Sequence, residues 1–187
     1  MILVYGGSFN PPTLAHQAIL EKLKNLYPEA KIIVVPVGDD YRKNDLAPFF
    51  HRYEMVKLMI GSLCDVVVSS IEGYHPFEGT IETLNRLSKA YDDLYVVMGE
   101  DQLSSISKWI RADELLNKYP FIIMKRKINL SQNEKNHPIN LDQYHMTYID
   151  FDMDISSSMF RVNPKKQKEL IPNSINKYIE KHQLYKE

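Results

Sequence analysis

The chain has 187 residues, 44% hydrophobic and 25% charged, a profile of one ordinary globular domain rather than a disordered or fibrous chain. Its 23 Lys and Arg against 24 Asp and Glu give a formal net charge of -1, so a broad nucleic-acid-binding surface is not expected. No apolar run approaches membrane-spanning length, and Met1-Ile2-Leu3-Val4-Tyr5 enters Gly6-Gly7 without a signal-peptide pattern, so a cytoplasmic location is expected.

Ile2-Leu3-Val4-Tyr5 reads as a buried strand that Gly6-Gly7 stops. After Pro11-Pro12, Thr13 is placed to cap a helix. Leu14, Ala18, Ile19, Leu23 and Leu26 then recur at helical spacing until Pro28. Residues 32–37 predict a second strand, and a second helix runs from Phe50 to Leu63 with Met55, Leu58 and Met59 among its apolar positions. Val66-Val67-Val68 is a third strand, followed by a helix from Thr80 to Tyr91 with Ile81, Leu84 and Leu87 on one face. Leu94 to Met98 is a fourth strand ending at Gly99, and residues 101–118 are mostly helical in pattern. Phe121 to Met124 and Tyr148 to Phe151 predict the last two strands, and Ile175, Tyr178 and Ile179 mark a C-terminal helix. The stretch 129–146 is polar, contains Pro138, and reads either as partly ordered or as a flap.

Strand and helix alternate without a linker. This predicts an α/β fold in a single domain over 1–187: a Rossmann-like, doubly wound parallel sheet with a C-terminal helical segment. Ligands of such sheets bind beyond the carboxyl ends of the strands, so chemistry is expected after strands one, two, four, and five or six.

Three segments fall there. Gly6-Gly7-Ser8-Phe9-Asn10-Pro11-Pro12-Thr13-Leu14-Ala15-His16 joins a glycine turn to a helix N-terminus, where unpaired N–H groups and the helix dipole favour an anion. His16 lies one turn inside Thr13, so both side chains can face one phosphate. Lacking Gly-Lys-Ser/Thr and a third glycine, the segment is neither a P-loop nor a dinucleotide fingerprint. Ile155-Ser156-Ser157-Ser158-Met159-Phe160-Arg161 sets hydroxyls before a helix and a planar cation one turn later, a pattern equally read as a serine N-cap. Gly99-Glu100-Asp101, with Trp109 downstream, offers an acid for ribose and an indole either for stacking or for the core.

Together these segments resemble the bacterial nicotinate mononucleotide adenylyltransferases of the large nucleotidyltransferase superfamily. The resemblance spans nearly the whole chain. Gly6 to His16 is similar to the family's GG-[ST]-F-[DN]-P start, and Arg52-Tyr53-Glu54-Met55-Val56 to its arginine-led second helix. Thr80-Ile81-Glu82-Thr83-Leu84 resembles T-I-[DE]-T-L, and Gly99-Glu100-Asp101 with Trp109 and Glu114-Leu115-Leu116 resembles G-x-D…W…E-L-L. Ile155 to Arg161 is similar to I-S-S-[ST]-x-[IF]-R, and Tyr178 to Tyr185 to the closing helix. The resemblance implies that ATP and nicotinate mononucleotide are the substrates. It gives His16, Thr13 and Arg161 catalytic roles, and places Gly7, Ser8, Phe9, His16, Gly99, Asp101, Ser156, Ser157 and Arg161 on ATP. Lys43, Thr80 and Trp109 fall to the mononucleotide.

Departures from the family pattern are Thr13 and Ala15 in the His-or-Thr-x-Gly-His motif, Gly38-Asp39-Asp40-Tyr41-Arg42-Lys43 in place of a basic loop, and Gly79 where an aromatic is common. Tyr74-His75-Pro76-Phe77 is a candidate to compensate for the last of these. The expected reaction is direct attack of the mononucleotide phosphate on the α-phosphorus, with Mg²⁺ held mainly by phosphate oxygens and water. Rival readings are another superfamily enzyme with a phosphopantetheine-like acceptor, and a nucleotide-binding module without turnover. Homo-oligomerisation is left open. His51, His75, His137, His145 and His182 show no metal-ligand spacing and are read as surface or capping residues. Lys165, Lys166 and Lys168 are read as a solvated helix face. Cys64, the single cysteine, excludes an intrachain disulfide and is expected in the core.

Overall fold

The computed structural model describes residues 1–41, 45–125 and 141–186, so Lys43, His137 and residues 129–140 of the polar stretch lie outside the described residues. The chain runs β1 (Ile2–Gly7), α1 (Leu14–Leu26), β2 (Lys31–Pro36), α2 (Phe49–Ile60), β3 (Val66–Val68), α3 (Thr80–Leu87), β4 (Leu94–Gly99), α4 (Ala112–Lys118), β5 (Phe121–Lys125), β6 (Met146–Asp150), α5 (Ser157–Val162) and α6 (Asn173–His182). The six strands form one sheet in the order β3-β2-β1-β4-β5-β6, and every neighbouring pair is parallel. Strand order reverses at β1, which lies between β2 and β4. That is the doubly wound topology, and the crevice at its switch point opens beside the ends of β1 and β4.

Period-two alternation sorts the strand residues into two cores. Leu3, Tyr5, Ile32, Val34, Val97, Ile122 and Met124 pack on one face with Ile19, Leu23, Met55, Val56, Ile175 and Ile179 of α1, α2 and α6. Val4, Ile33, Val35, Val96, Met98, Phe121 and Ile123 pack on the other with Ile81, Leu84, Leu115 and Leu116 of α3 and α4. Continuous Val and Ile runs are what a sheet covered on both faces requires.

Several boundaries differ from the sequence reading. Residues 101–118 do not form one helix. A 3-10 run spans Glu100–Lys108 and α4 follows, with Arg111 between them in the left-handed region at φ 54°. Ser104 and Ser105 donate their hydroxyls to the carbonyls of Asp101 and Gln102, three residues back, which favours the tighter coil. α3 stops at Leu87, short of Tyr91. β6 begins at Met146, two residues earlier than read, and buries only Ile149. Cys64 is exposed rather than buried, because the apolar run starts only at Val66, past a left-handed turn at Asp65. Among the described residues no helix is long and apolar enough to cross a membrane.

Candidate active site

The turn from β1 into α1 is built around Phe9. Phe9 takes a φ of 47°, and its ring lies edge-on to Tyr5 at 5.5 Å and against His16 at 5.1 Å. A Cβ on Gly7 would stand 3.1 Å from that ring, so the bare backbone of Gly7 makes room for Phe9. Gly6 is the open position, with nothing within 4 Å of a built Cβ. Thr13 is the N-cap of α1 and is fully buried. Its backbone N–H donates to His16 Nδ1 at 2.9 Å, and its hydroxyl lies 2.7 Å from the same atom. A ring whose Nδ1 accepts a hydrogen bond carries its proton on Nε2. Thr13 therefore fixes His16 as a neutral N–H donor at the positive end of α1.

α5 is fastened to the same turn. Ser156 caps it, its Oγ accepting from the Met159 N–H at 3.2 Å. Ser157 donates its hydroxyl to the Pro11 carbonyl at 2.7 Å, which commits its single proton. Arg161 spreads its fork, donating through Nη1 to the Asn10 carbonyl at 2.8 Å and through Nη2 to Asp45 at 3.1 Å. The Asp45 side chain is 64% exposed, so this ion pair is weak and open to exchange for a stronger anion.

Arg52 is the hidden centre of this half. Fully buried in α2, it donates to the carbonyls of Ala47 (2.6 Å), Val37 (2.6 Å) and Ser8 (3.1 Å), and to Asp39 at 3.0 Å. Burial pulls its guanidinium down from its ordinary value, opposed by the Asp39 carboxylate. Asp39 also accepts from the Phe49 N–H at 2.7 Å, and Asp40 accepts from the Phe77 N–H at 2.6 Å. The two acids that looked misplaced beside an anionic substrate are loop anchors. Glu72 lies nearby, buried, with Oε1 accepting from the Thr83 hydroxyl at 2.7 Å and Oε2 making no close hydrogen bond among the described residues. Burial pushes its carboxyl above the usual range, opposed by the Thr83 bond.

The other half is looser. Gly99 ends β4, where a Cβ would meet Asp101 Oδ1 at 2.4 Å, and Asp101 itself is exposed. Thr80 opens α3 behind Gly79, whose φ of 94° suits glycine. A Cβ on Gly79 would lie 2.7 Å from Ile110, so the residue before Thr80 packs against the residue after Trp109. Trp109 is half-buried against the α3–α4 core. Where an aromatic was expected at 79, Ile110 fills the space. Tyr74 is 81% exposed, and Phe77 packs on Tyr41 at 4.8 Å.

The structure thus joins Gly7, Ser8, Phe9, Thr13, His16, Ser156, Ser157 and Arg161 into one bonded group. Gly99 lies against Asp101, and Thr80 and Trp109 are brought near each other only through their neighbours Gly79 and Ile110. Lys43 lies outside the described residues. Asn10, Arg52, Glu72 and Tyr185 were not read as site residues. For Arg52 a signal existed: it shares the helical stripe of Met55, Val56 and Met59, where a charge is out of place unless it is fully bonded. Among the described residues no three His, Cys, Asp or Glu side chains are grouped to hold a metal ion. His51 is half-buried and bonds the Tyr178 hydroxyl at 2.9 Å, while His75, His145 and His182 are exposed.

Residues 4–163 match the Cytidylyltransferase-like family. A probable nicotinate-nucleotide adenylyltransferase of Acholeplasma laidlawii is 39% identical over 100% of this chain and 98% of its own length. One of Caldicellulosiruptor saccharolyticus is 32% identical over 100% and 99%. The solved structure of Plasmodium falciparum nicotinic acid mononucleotide adenylyltransferase complexed with NaAD has a TM-score of 0.77 and 26% identity, covering 98% of this chain and 96% of that one.

Proposed function

Since the chain belongs to the cytidylyltransferase-like family, and within it to the nicotinate-nucleotide adenylyltransferases, we propose that it transfers the adenylyl group of ATP to nicotinate mononucleotide. The products are nicotinate adenine dinucleotide and pyrophosphate. The observation that carries the chemistry is the Thr13–His16 pair, which aims a fixed N–H donor from the start of a helix beside Arg161.

The mononucleotide phosphate attacks the α-phosphorus in line, and pyrophosphate leaves from the opposite side. Charge accumulates on the α-phosphate oxygens, where His16 Nε2–H and the first N–H groups of α1 stabilise it. Arg161 exchanges Asp45 for the triphosphate while its other arm stays on Asn10. No side chain serves as a covalent relay in this reading: the proton of Ser157 is held by Pro11, and Cys64 lies before β3, away from the carboxyl ends of the strands. Asp101 and Gly99 face the adenosine, Trp109 stacks on the pyridine ring, and Thr80 with its neighbours meets the carboxylate. Mg²⁺ belongs to this reading as an offset to phosphate charge. Among the described residues no ligand set is grouped for a metal, and this reading gives the ion to phosphate oxygens and water. The enzyme is placed in the cytoplasm, where ATP is available.

The test is pyrophosphate release with ATP, Mg²⁺ and a panel of nicotinate mononucleotide, nicotinamide mononucleotide and phosphopantetheine. Release with nicotinate mononucleotide supports the reading. Release with phosphopantetheine alone moves the chain to another acceptor, and nucleotide binding without release under any acceptor makes it a binding module.

A further inference from the structure

We propose that Tyr185, in the tail after α6, is a positioning residue for adenylyl transfer that acts through Asn10. The proposal rests on the adenylyltransferase reading above. α6 ends at Gln183, and both Gln183 and Tyr185 take a φ of 56°. Residues other than glycine hold that conformation only where their surroundings over-determine it. The two turns bring the tail back onto the turn after β1. There the Tyr185 hydroxyl donates to Asn10 Oδ1 at 2.8 Å, and its ring lies edge-on to Phe160 of α5 at 5.9 Å.

Asn10 is 1% exposed, and its hydrogen bonds reach three other segments. Oδ1 accepts from Tyr185 and from the Ala47 N–H at 3.0 Å, while Nδ2 donates to the Asp45 carbonyl at 2.9 Å. The Asn10 backbone carbonyl accepts from Arg161 at 2.8 Å. Asn10 therefore sets two things together: the arm of the arginine assigned to the triphosphate, and the register of residues 45–47, which lead into α2 from the loop on the acceptor side. Tyr185 supplies one of the two donors that hold the amide upright. Burial pushes its phenol well above the ordinary range, opposed by Arg161 and Arg52, so the hydroxyl remains a donor throughout the working pH range. Without it, the Asn10 amide is held by Ala47 and Asp45 alone, and Arg161 loses a fixed anchor.

The test is Tyr185→Phe, which keeps the ring on Phe160 and deletes one oxygen. Steady-state kinetics are run at 25 °C with each substrate varied, and the affinity for a non-hydrolysable ATP analogue is measured by calorimetry. We expect kcat/KM to fall about tenfold, the scale of one lost buried hydrogen bond, and analogue binding to weaken. Ile179→Ala, which loosens the packing of α6 without touching the hydroxyl, serves as the comparison for tail destabilisation. It should lower the melting midpoint at least as much as Tyr185→Phe and leave kcat/KM unchanged. Wild-type kinetics and affinity in Tyr185→Phe overturn the proposal, as does an equal kinetic loss in Ile179→Ala. If the wild-type protein does not turn over nicotinate mononucleotide, the acceptor assignment fails, and analogue affinity decides the Tyr185 proposal by itself.

Discussion

At the end of β1, donors and acceptors are paired across four segments. Arg52 and Asn10 are buried to within 1% and each makes three or more hydrogen bonds, and His16 is locked by Thr13. At the end of β4 the arrangement is the reverse. Asp101 is exposed and Trp109 is half-buried. The chemistry of phosphoryl transfer depends on donors fixed to a few tenths of an ångström, so rigidity belongs around His16. The proposed ring-binding surface around Trp109 is the more open of the two.

Variants at the rigid end should show the larger effects. His16→Ala is expected to fold and to lose about two to three orders of magnitude in kcat, the scale of one missing transition-state donor. A single-turnover assay on the purified variant checks it, and an unchanged rate removes His16 from the chemistry. At the loose end, nicotinate mononucleotide should be preferred over nicotinamide mononucleotide by roughly tenfold to a hundredfold. Backbone N–H donors that satisfy a carboxylate would face an amide NH₂, at about 1–3 kcal/mol for the unpaired group. Comparing kcat/KM at saturating ATP decides this, and Trp109→Ala should raise KM for the mononucleotide far more than for ATP. Equal efficiencies with both mononucleotides would mean that the slack end does not read the carboxylate at all.

Arg161→Lys should recover only part of what Arg161→Ala loses, about tenfold below wild type in kcat/KM for ATP. A lysine cannot keep one arm on Asn10 while the other leaves Asp45 for phosphate. Full recovery in ATP-dependence curves would reduce Arg161 to a point charge.

The smallest effect is on stability. Burial raises the Glu72 carboxyl in the folded state, so the native protein holds that proton more tightly than the unfolded chain does. Stability from this group is fully present below the ordinary carboxylate range and declines as pH rises through the raised folded value. Glu72→Gln, which has no charge to desolvate, should therefore gain in melting temperature relative to wild type as pH increases from 4 to 8. A gap that is constant with pH would show that Glu72 does not titrate in this window.

The architecture was legible because strands buried on both faces must be apolar throughout and helices on a sheet must carry an apolar stripe. Ile32 to Val35 and the Ile81, Leu84, Leu87 series are direct expressions of those needs. Residues 101–118 are mostly helical, as read, but their split into a 3-10 run and α4 was not legible, because the serines there bond to carbonyls three residues back, which periodicity does not report. In the site, Thr13, His16, Ser156, Ser157 and Arg161 were singled out because they cap or occupy the helices that follow β1 and β6, in segments that resemble the family's motifs. Asn10, Asp39, Asp40 and Tyr185 matter through bonds to distant segments, and a local window that contains them does not report those partners.

Cys64 has a practical consequence. It is the chain's single thiol, exposed in the turn that enters β3, so it sits at the amino ends of the parallel strands. The proposed ligand-binding segments follow the carboxyl ends of β1, β4 and β6. A maleimide dye or a tether to a sensor chip can therefore be attached at one defined point on the far rim, leaving the mouth of the crevice open. Nucleotide binding can be followed on the unmutated protein by that route.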